Sequence, residues 1–187
     1  RKNRSTIGAA SLLYEIAYTR LKNKQRTYTC FVDFSKCFDT IRRDLLFTKL
    51  QTLGIPFQIC SLLHFIFENL RFVIKSGKYL TRNFTSNIGL PQGDPLSPIL
   101  FGLFVHDLPN CLTHKGLEIN GNFLKYLMFA DDLAILADSA AELQLAIDNL
   151  YNYCVKNGLK INVSKTKCLI FHRGRLPPCS FTLNNTS

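Results

Sequence analysis

The sequence lacks several features that would assign it to a familiar class. It has no apolar run near the length of a membrane span, and no charged-then-apolar start typical of a signal peptide. Its seven cysteines show neither CxxC nor Cys/His ligand spacing, and no internal repeat is present. These absences argue against a membrane protein, a zinc module and a disulfide framework. They predict reduced thiols in a nuclear or cytoplasmic protein.

Acidic residues are also scarce. Lys and Arg total 23 against 13 Asp and Glu, and the resulting net charge of +10 favours a polyanionic partner. The 187 residues suffice for one domain with a core, and a hydrophobic content of 47% is typical of a globular fold. Because the chain starts at Arg1 without Met and ends without a capping element, we expect it to be part of a longer polypeptide.

Positive charge is missing from one long stretch, since no Lys or Arg lies between Lys125 and Lys156. Within it, Asp131 and Asp132 interrupt the apolar segment 126–137, which predicts two strands joined by a tight turn at the aspartates. Two like charges at a buried turn repel each other, and a cation would relieve that repulsion. The alternative is an exposed hairpin tip, where Asp is an ordinary turn residue.

The order of the predicted elements brings a third carboxylate to this pair. Periodicity and capping residues predict helices at about 6–21, 44–53, 56–70, 94–112 and 139–158, and strands or hairpins at 28–34, 72–80, 126–137 and 168–171. Without residues 40–94, this is the split βαβ order of a ferredoxin-like antiparallel sheet, an α+β fold. Its first two strands are parallel, so Asp33 at the end of the first strand should lie beside Asp131 and Asp132.

Three carboxylates without nearby cations suit hard divalent ions. Mg²⁺ prefers a few carboxylates with water and phosphate oxygens at about 2.0–2.1 Å. Two such ions about 3.5–4 Å apart can hold the attacking and leaving oxygens of a phosphoryl transfer. The rival interpretations are a Ca²⁺ site and a structural acidic cluster, and neither accounts for the accompanying Gln/Gly loop and basic charge.

Several segments occur in the order of a known enzyme family. They are Phe31–Asp39, Gly89–Phe101, Phe129–Asp132 and Gly158–Thr166. Together they resemble the reverse transcriptase domain of non-LTR (LINE-type) retrotransposons, and the resemblance covers essentially the whole chain. It implies a right-hand polymerase palm at about residues 28–40 and 95–175, with inserted fingers elements at about 1–27 and 41–94. The thumb and endonuclease of the family are absent from the chain.

The resemblance implies roles for the acidic residues first. Asp33 and Asp131 would bind two Mg²⁺ ions, or Mn²⁺ in their place, with Asp132 assisting and the backbone of Phe34 adding an oxygen. The nucleotide-binding residues that it implies are Phe34, Ser35, Lys36, Cys37, Phe38, Gln92, Gly93 and Lys165. The nucleic-acid-binding residues that we predict are Arg4, Lys22, Lys24 and Arg26, for which a solvated face is the alternative.

Some of these roles are specific. The amides around Lys36 and Cys37 would hold the triphosphate, and Phe38 would be the steric gate under the sugar. Gln92 and Gly93 would lie along the template and incoming nucleotide. Lys165, or alternatively Lys160, would neutralise or protonate the leaving pyrophosphate. The simpler alternatives are core packing for Phe38 and a solvated surface for the lysines.

The predicted function is RNA-directed DNA synthesis, in which dNTPs are added to the 3′-OH of a DNA primer on an RNA template. The alternatives are a group II intron maturase or telomerase-like reverse transcriptase, and a decayed copy that binds nucleic acid without catalysis. Retention of all three aspartates favours an enzyme. Without a thumb to hold the duplex, we expect the isolated chain to bind nucleic acid weakly and extend primers poorly.

Overall fold

The computed structural model describes residues 6–175 and 178–183. Its helices are α1 (Thr6–Lys22), α2 (Cys37–Thr40), α3 (Arg43–Thr52), α4 (Phe57–Asn69), α5 (Leu96–Phe104), α6 (Leu108–Cys111) and α7 (Ala140–Asn157). Its strands are β1 (Thr27–Val32), β2 (Lys75–Ser76), β3 (Tyr79–Leu80), β4 (Leu117–Ile119), β5 (Asn122–Leu124), β6 (Tyr126–Phe129), β7 (Asp132–Ala137) and β8 (Lys167–Phe171). The chain divides into two compact units, Lys36–His106 and the remainder.

A four-stranded sheet organises the unit formed by Arg1–Ser35 and Asp107–Ser187. Its strand order is β6-β7-β1-β8, and all three pairings are antiparallel. Because β1 and β6 are both antiparallel to β7, they run parallel to each other and end at the same edge of the sheet. This is the order of the split βαβ pattern, so the predicted α+β fold is confirmed.

Helix α7 covers one part of this sheet by packing against β1 and β7. It buries Leu143, Ile147 and Leu150 at helical spacing, and burial of each such side chain stabilises by about 1.5–3 kcal/mol. Ser139 caps its start by accepting a 3.2 Å hydrogen bond from the Glu142 amide. Gly158 ends it in the left-handed conformation, as the sequence predicted.

Helix α1 is tied to the same unit by apolar and polar contacts. Leu13 and Ile16 are buried in a cluster with Leu117 and Leu136. The buried Arg20 donates to the hydroxyl of Thr27 at 3.0 Å and forms an ion pair with Asp138. The charged end of this helix is therefore fixed where the chain enters β1.

The second unit, Lys36–His106, is mainly helical. Helix α3 packs against α4 and α5, and its Leu46 and Leu50 are almost fully buried. The sequence pattern over 72–80 predicts a hairpin with Ser76-Gly77 as its turn; the structure has this hairpin as β2–β3, with Gly77 and Lys78 as the two-residue loop. Gly77 has a φ of 62°, a conformation that glycine adopts without steric cost. The turn therefore shifts by one residue to place glycine at this position.

The single helix predicted over 94–112 is wrong, because the structure has α5 and α6 instead. Pro109 explains the break, since it has no N–H to donate to the carbonyl of Val105 and fits only the first turn of α6. At the start of α5, Pro95 is the N-cap residue, and Asp94 accepts a 3.0 Å bond from the amide of Leu96. The sequence pattern predicts Asp94 as the N-cap with Pro95 at the first helical position, and the structure places the N-cap one residue later, at Pro95.

The hairpin β4–β5 was not predicted. Its signal is Asn120-Gly121, the dipeptide most favoured in two-residue hairpin loops, and both residues have positive φ (50° and 77°).

None of the helices in the described part of the chain combines the length and apolar character that a bilayer crossing requires. The fingers and palm boundaries drawn from the family stay a prediction, because the two compact units are defined by packing alone and do not identify either subdomain.

Candidate active site

Backbone register brings the aspartates to one edge of the sheet. The last residue pair of β1 and β7 is Val32 with Leu133, so the next positions along the same register are Asp33 and Asp132. The β6–β7 hairpin closes at Phe129 and Asp132, which leaves Ala130 and Asp131 as its two-residue loop. The turn is therefore one residue earlier than predicted. Asp33 and Asp131 are partly buried, whereas Asp132 is exposed.

The loop of this hairpin carries backbone strain. Ala130 has a φ of 52°, in the left-handed region that alanine rarely adopts. Such a conformation costs roughly 1–3 kcal/mol and is typical of functional turns. The conformation fixes the direction in which Asp131 leaves the turn.

The side chains of the aspartates do not form a ready ligand set. Among the residues that the structure describes, no group of three Asp, Glu, His or Cys side chains is close enough to hold a metal ion. Directly opposed residues on antiparallel strands have Cα atoms only about 4.5–5.5 Å apart. Asp33 and Asp132 occupy the next positions along this register, so their backbones lie close to each other at the sheet edge. Carboxylate oxygens on a fixed backbone fit a hard divalent cation.

The segment after α7 holds the backbone of Asp33 on both sides. The Asp33 amide donates to the hydroxyl of Thr166 at 3.2 Å, and its carbonyl accepts from the amide of Asn162 at 2.8 Å. One step further, the Ser35 amide donates to the carbonyl of Lys160 at 2.8 Å. Three hydrogen bonds thus position the end of β1.

Sequence reasoning missed the two residues that hold Asp33. It selected Lys160 and Lys165 from this segment, and both side chains are exposed in the structure. Asn162 and Thr166 lie in the same resembling block, Gly158–Thr166, and that block was the only signal available for them. The buried Phe34 pairs with Ile161 in an isolated bridge, so its backbone is part of the same contact.

The residues implied to bind the triphosphate begin the other compact unit. Lys36 is exposed, has a φ of 48° and precedes α2, while Cys37 is buried in the first turn of that helix. The Lys36 carbonyl accepts from the amides of Asp39 and Thr40 at 3.0 and 3.1 Å. The conformation of this turn is therefore set by local hydrogen bonds.

The position of Phe38 is compatible with both of its predicted roles, as a steric gate under the sugar and as a core residue. The side chain is partly exposed, yet its ring packs 5.0 Å from the ring of the fully buried Phe101, at an interplanar angle of 36°. A contact of this kind adds about 0.5–1.5 kcal/mol beyond burial. One face of the ring is thus supported by the core, while part of the side chain remains accessible.

Gln92 and Gly93 lie in the loop before α5. The side-chain amide of Gln92 donates to the carboxylate of Asp39 at 2.9 Å, and both residues are exposed. Gly93 has a φ of 85°, and a Cβ built there would meet no atom within 4 Å. Within the described residues, glycine is required here by the backbone conformation rather than by a close neighbour.

Gly89 in this loop and Arg43 in α3 are structural residues that the sequence did not single out. Gly89 has a φ of 84°, and a Cβ there would lie 2.7 Å from the carbonyl oxygen of Asp39. The buried Arg43 donates to the carbonyls of Gly89 and Ser86 at 2.9 and 2.6 Å. Burial lowers the pKa of its guanidinium. Both residues hold the Gly89–Gly93 loop against the segment around α2.

The predicted nucleic-acid contacts cluster where α1 meets β1. Lys22, Lys24 and Arg26 are exposed, and the Lys22 amine lies 4.4 Å from the ring centre of Tyr18. Arg4 lies outside the described residues. Three cations within five positions form a local basic surface.

Solved structures identify the class of fold. An apo telomerase structure from Candida tropicalis, truncated from its C-terminal domain, matches with a TM-score of 0.67 at 19% identity, over 95% of this chain and 38% of that chain. A Candida albicans telomerase structure matches with a TM-score of 0.65 at 14% identity, over 89% and 31% of the two chains. At this identity the likeness shows the fold alone, a reverse transcriptase/telomerase-like α+β fold.

The chain belongs to the reverse transcriptase (RNA-dependent DNA polymerase) family, whose profile matches residues 1–180. It is 28% identical over 145 residues to a retrovirus-related Pol polyprotein from the type-2 retrotransposable element R2DM of Drosophila melanogaster, covering 77% of this chain and 14% of the relative. It is 29% identical over 161 residues to the RNA-directed DNA polymerase from mobile element jockey of Drosophila funebris, covering 83% and 17%. The resemblance to non-LTR reverse transcriptases is thereby confirmed, and the chain spans less than a fifth of the length of these two relatives.

Proposed function

We propose that this chain carries the catalytic centre of an RNA-directed DNA polymerase of a non-LTR retrotransposon. It would add dNTPs to the 3′-OH of a DNA primer on an RNA template, in the nucleus or cytoplasm. The observation that carries the proposal is the shared sheet edge of Asp33, Asp131 and Asp132, in a chain matched by the reverse transcriptase family over residues 1–180. The curated relatives are named as retrotransposon polymerases, which favours this activity over a maturase or a telomerase.

The aspartates would hold two divalent ions, and Mg²⁺ suits their oxygen donors best. When bound, such ions stabilise the charge that develops on the oxygens of the transferred phosphoryl group. Asp33 and Asp131 would be the principal ligands, with Asp132 and the carbonyl of Phe34 as further oxygen donors. Asn162 and Thr166 would act as positioning residues, because they fix the backbone of Asp33 and so limit where its carboxylate can go.

The remaining proposed roles concern the substrates. Amides at Lys36 and Cys37 would bind the triphosphate, and Phe38 would exclude a 2′-hydroxyl. Gln92 and Gly93 would contact the template and nucleotide. Lys165, or Lys160, would stabilise the departing pyrophosphate. Lys22, Lys24 and Arg26 would contact template phosphates, and their exposure and proximity in sequence support this role.

The metal assignment is tested by binding and by activity with the same variants. Asp131→Asn removes a charge but nearly preserves shape, so Mn²⁺ affinity, followed by electron paramagnetic resonance, should fall at least tenfold. Primer extension on an RNA template with Mg²⁺ and dNTPs should also be lost, and it is assayed within a longer polypeptide of the length of the relatives because the isolated chain is expected to extend primers poorly. The matched control is Asp148→Asn on α7, an exposed aspartate that accepts a 2.7 Å bond from Gln144 and should change neither property.

Two outcomes would contradict this proposal. If Asp131→Asn and Asp148→Asn bound Mn²⁺ as tightly as the unmodified chain, the aspartates would not be the metal site. The second outcome is that the unmodified chain binds an RNA–DNA hybrid and Mn²⁺ but extends no primer, even within a longer polypeptide of the length of its relatives. The chain would then be a nucleic-acid-binding copy without catalytic activity.

A further inference from the structure

Two cysteines face each other across the strand pair β1–β8. The antiparallel register places Cys30 directly opposite Cys168. Residues in this relation have Cα atoms about 4.5–5.5 Å apart and side chains on the same face of the sheet. A disulfide requires a Cα separation of about 4.4–6.8 Å. The Cα spacing of this register therefore falls within the range of a disulfide between the two residues.

The two thiols differ in their access to solvent. Cys30 lies in the central strand β1 with only 1% of its surface exposed, whereas Cys168 lies in the edge strand β8 and is exposed. A small solute can thus reach one sulfur, and the other is held behind it in the core. This is the arrangement of an attacking thiol with an internal resolving thiol.

The contact between the thiols also favours reaction at the exposed one. A hydrogen bond with Cys30 lowers the pKa of Cys168, and the same hydrogen bond, together with burial, raises the pKa of Cys30. The thiolate is the form that reacts with oxidants. The direction of these shifts agrees with the order set by exposure, in which an oxidant from solution meets Cys168 first.

We propose that Cys30 and Cys168 form a reversible disulfide in response to peroxide, and that this bond joins β8 covalently to β1. The Cys168 thiolate attacks one oxygen of hydrogen peroxide, so an S–O bond forms, the O–O bond breaks, and the released hydroxide takes a proton to become water. The Cys30 sulfur then attacks the Cys168 sulfenic acid. The S–S bond forms, and the S–O oxygen leaves with the Cys30 proton as a second water.

The position of this bond links it to the candidate active site. Cys30 is three residues before Asp33, and Cys168 is two residues after Thr166, the residue whose hydroxyl accepts from the Asp33 amide. Oxidation would join β1, which Asp33 follows, covalently to β8, which follows Thr166. The disulfide itself does not depend on the proposed polymerase function, since it follows from the strand register and the exposure of the thiols.

Peptide mapping tests the proposal directly. The reduced chain is treated with hydrogen peroxide, remaining thiols are blocked with N-ethylmaleimide, and a non-reducing digest is analysed by mass spectrometry. We expect one linked peptide pair containing Cys30 and Cys168, with two hydrogens fewer than the separate peptides. The melting temperature should rise by roughly 5–15 °C and return to its original value after treatment with dithiothreitol.

Cysteine variants distinguish the Cys30–Cys168 disulfide from oxidation at other positions of the chain. Cys168→Ala, a change at an exposed edge position, should abolish both the linked peptide and the rise in melting temperature. Cys30→Ser should leave Cys168 as a sulfenic acid that dimedone traps. The matched control is Cys179→Ser, which removes another exposed cysteine outside the strands and should leave the linked peptide unchanged.

The proposal would be overturned by any of three results from the unmodified chain. These are oxidation of Cys168 to sulfinic acid without the linked peptide, disulfides of Cys168 formed mainly between two chains, or oxidation of Cys168 no faster than that of Cys179. Each of these measurements is made without assaying polymerisation. A failure here is therefore distinct from a failure of the proposed function.

Discussion

Asp33 is positioned through its backbone, which leaves its carboxylate available for other partners. Its amide and carbonyl are both engaged by the segment Gly158–Thr166, from more than 120 residues away. A hydrogen bond of this kind contributes about 0.5–1.5 kcal/mol, and an amide left without a partner costs more. The backbone of Asp33 is therefore fixed, and within the described part of the chain no side-chain hydrogen bond or ion pair competes with a cation for its carboxylate oxygens.

Phe38 offers a residue-scale test, because its gate and core roles predict different effects. Phe38→Val should increase the use of rNTPs relative to dNTPs at least tenfold, since a smaller side chain leaves room for a 2′-hydroxyl. Loss of the ring contact with Phe101 should cost a modest amount of stability, about 1–2 kcal/mol. The measurements are single-nucleotide incorporation of each substrate and urea unfolding.

The control for this test is Phe101→Leu. Phe101 is fully buried, so its truncation should lower stability without changing sugar selection. If Phe38→Val left discrimination between dNTPs and rNTPs unchanged and lowered stability as much as Phe101→Leu, Phe38 would be a core residue only.

Some site residues could be predicted from the sequence and others could not. The difference is how far apart along the chain each residue and its contact partner lie. Asp33, Asp131 and Asp132 were found because local strand patterns and topology suffice to place them together. Asn162, Thr166 and Gly89 were missed, because each acts on a backbone group far away in sequence that no periodicity reveals. Arg43 was not singled out, because only the fold shows that its guanidinium donates to the carbonyls of Gly89 and Ser86. The roles of the site residues stay predictions.

At the scale of elements, the loop before α5 is held to the segment around α2 by backbone contacts. The Gly89 amide donates to the carbonyl of Ile41 at 2.8 Å, and the Leu90 amide donates to that of Phe38 at 2.7 Å. The buried Arg43 adds a third connection through the Gly89 carbonyl. The loop that carries Gln92 is therefore attached to the turn that carries Phe38.

Gly89→Ala should disturb this attachment. The new Cβ would lie 2.7 Å from the Asp39 carbonyl oxygen, and the φ of 84° adds the strain of a left-handed alanine. We expect a loss of roughly 2–4 kcal/mol in the free energy of unfolding, measured in urea. Gly54→Ala in the same unit is the control, because its φ is 75° but a Cβ there meets no atom within 4 Å, so the loss should be about 1 kcal/mol. Equal losses for the two variants would mean that the contact with Asp39 relaxes easily.

Elements with strong local signals were predicted best. The start and end of α7 follow from Ser139 and Gly158, whose effects act within one helical turn. The break between α5 and α6 was overlooked although Pro109 specifies it, since the apolar periodicity continues across the break. The β4–β5 hairpin was overlooked because strands of three residues are too short to show alternation, even with Asn120-Gly121 between them.

At the scale of the whole molecule, charge is the property that the sequence specifies most directly. The excess of 23 basic over 13 acidic residues is independent of fold. The division into compact units after Ser35 and His106 depends instead on long-range packing, and the sequence offered no signal for it. The net charge predicts attraction to nucleic acid, whereas the location of the binding residues requires the structure.

The last prediction concerns the attraction of the chain to nucleic acid and which basic residues are responsible for it. Each phosphate contact releases condensed counterions, so the logarithm of affinity should fall linearly with the logarithm of salt concentration, by about 0.9 per contact on duplex DNA. If Lys22, Lys24 and Arg26 contact phosphates, replacing all three with Gln should weaken binding to an RNA–DNA hybrid. The same change should reduce the magnitude of the salt slope by roughly 2–3.

The control replaces Lys75, Lys78 and Arg82 with Gln. This is an equal loss of exposed charge on and beside the β2–β3 hairpin, and it should change the salt slope less. Fluorescence anisotropy across a series of salt concentrations measures both quantities. If the two triple variants lost the same affinity and slope, binding would reflect net charge alone, and the basic surface at the end of α1 would have no specific role.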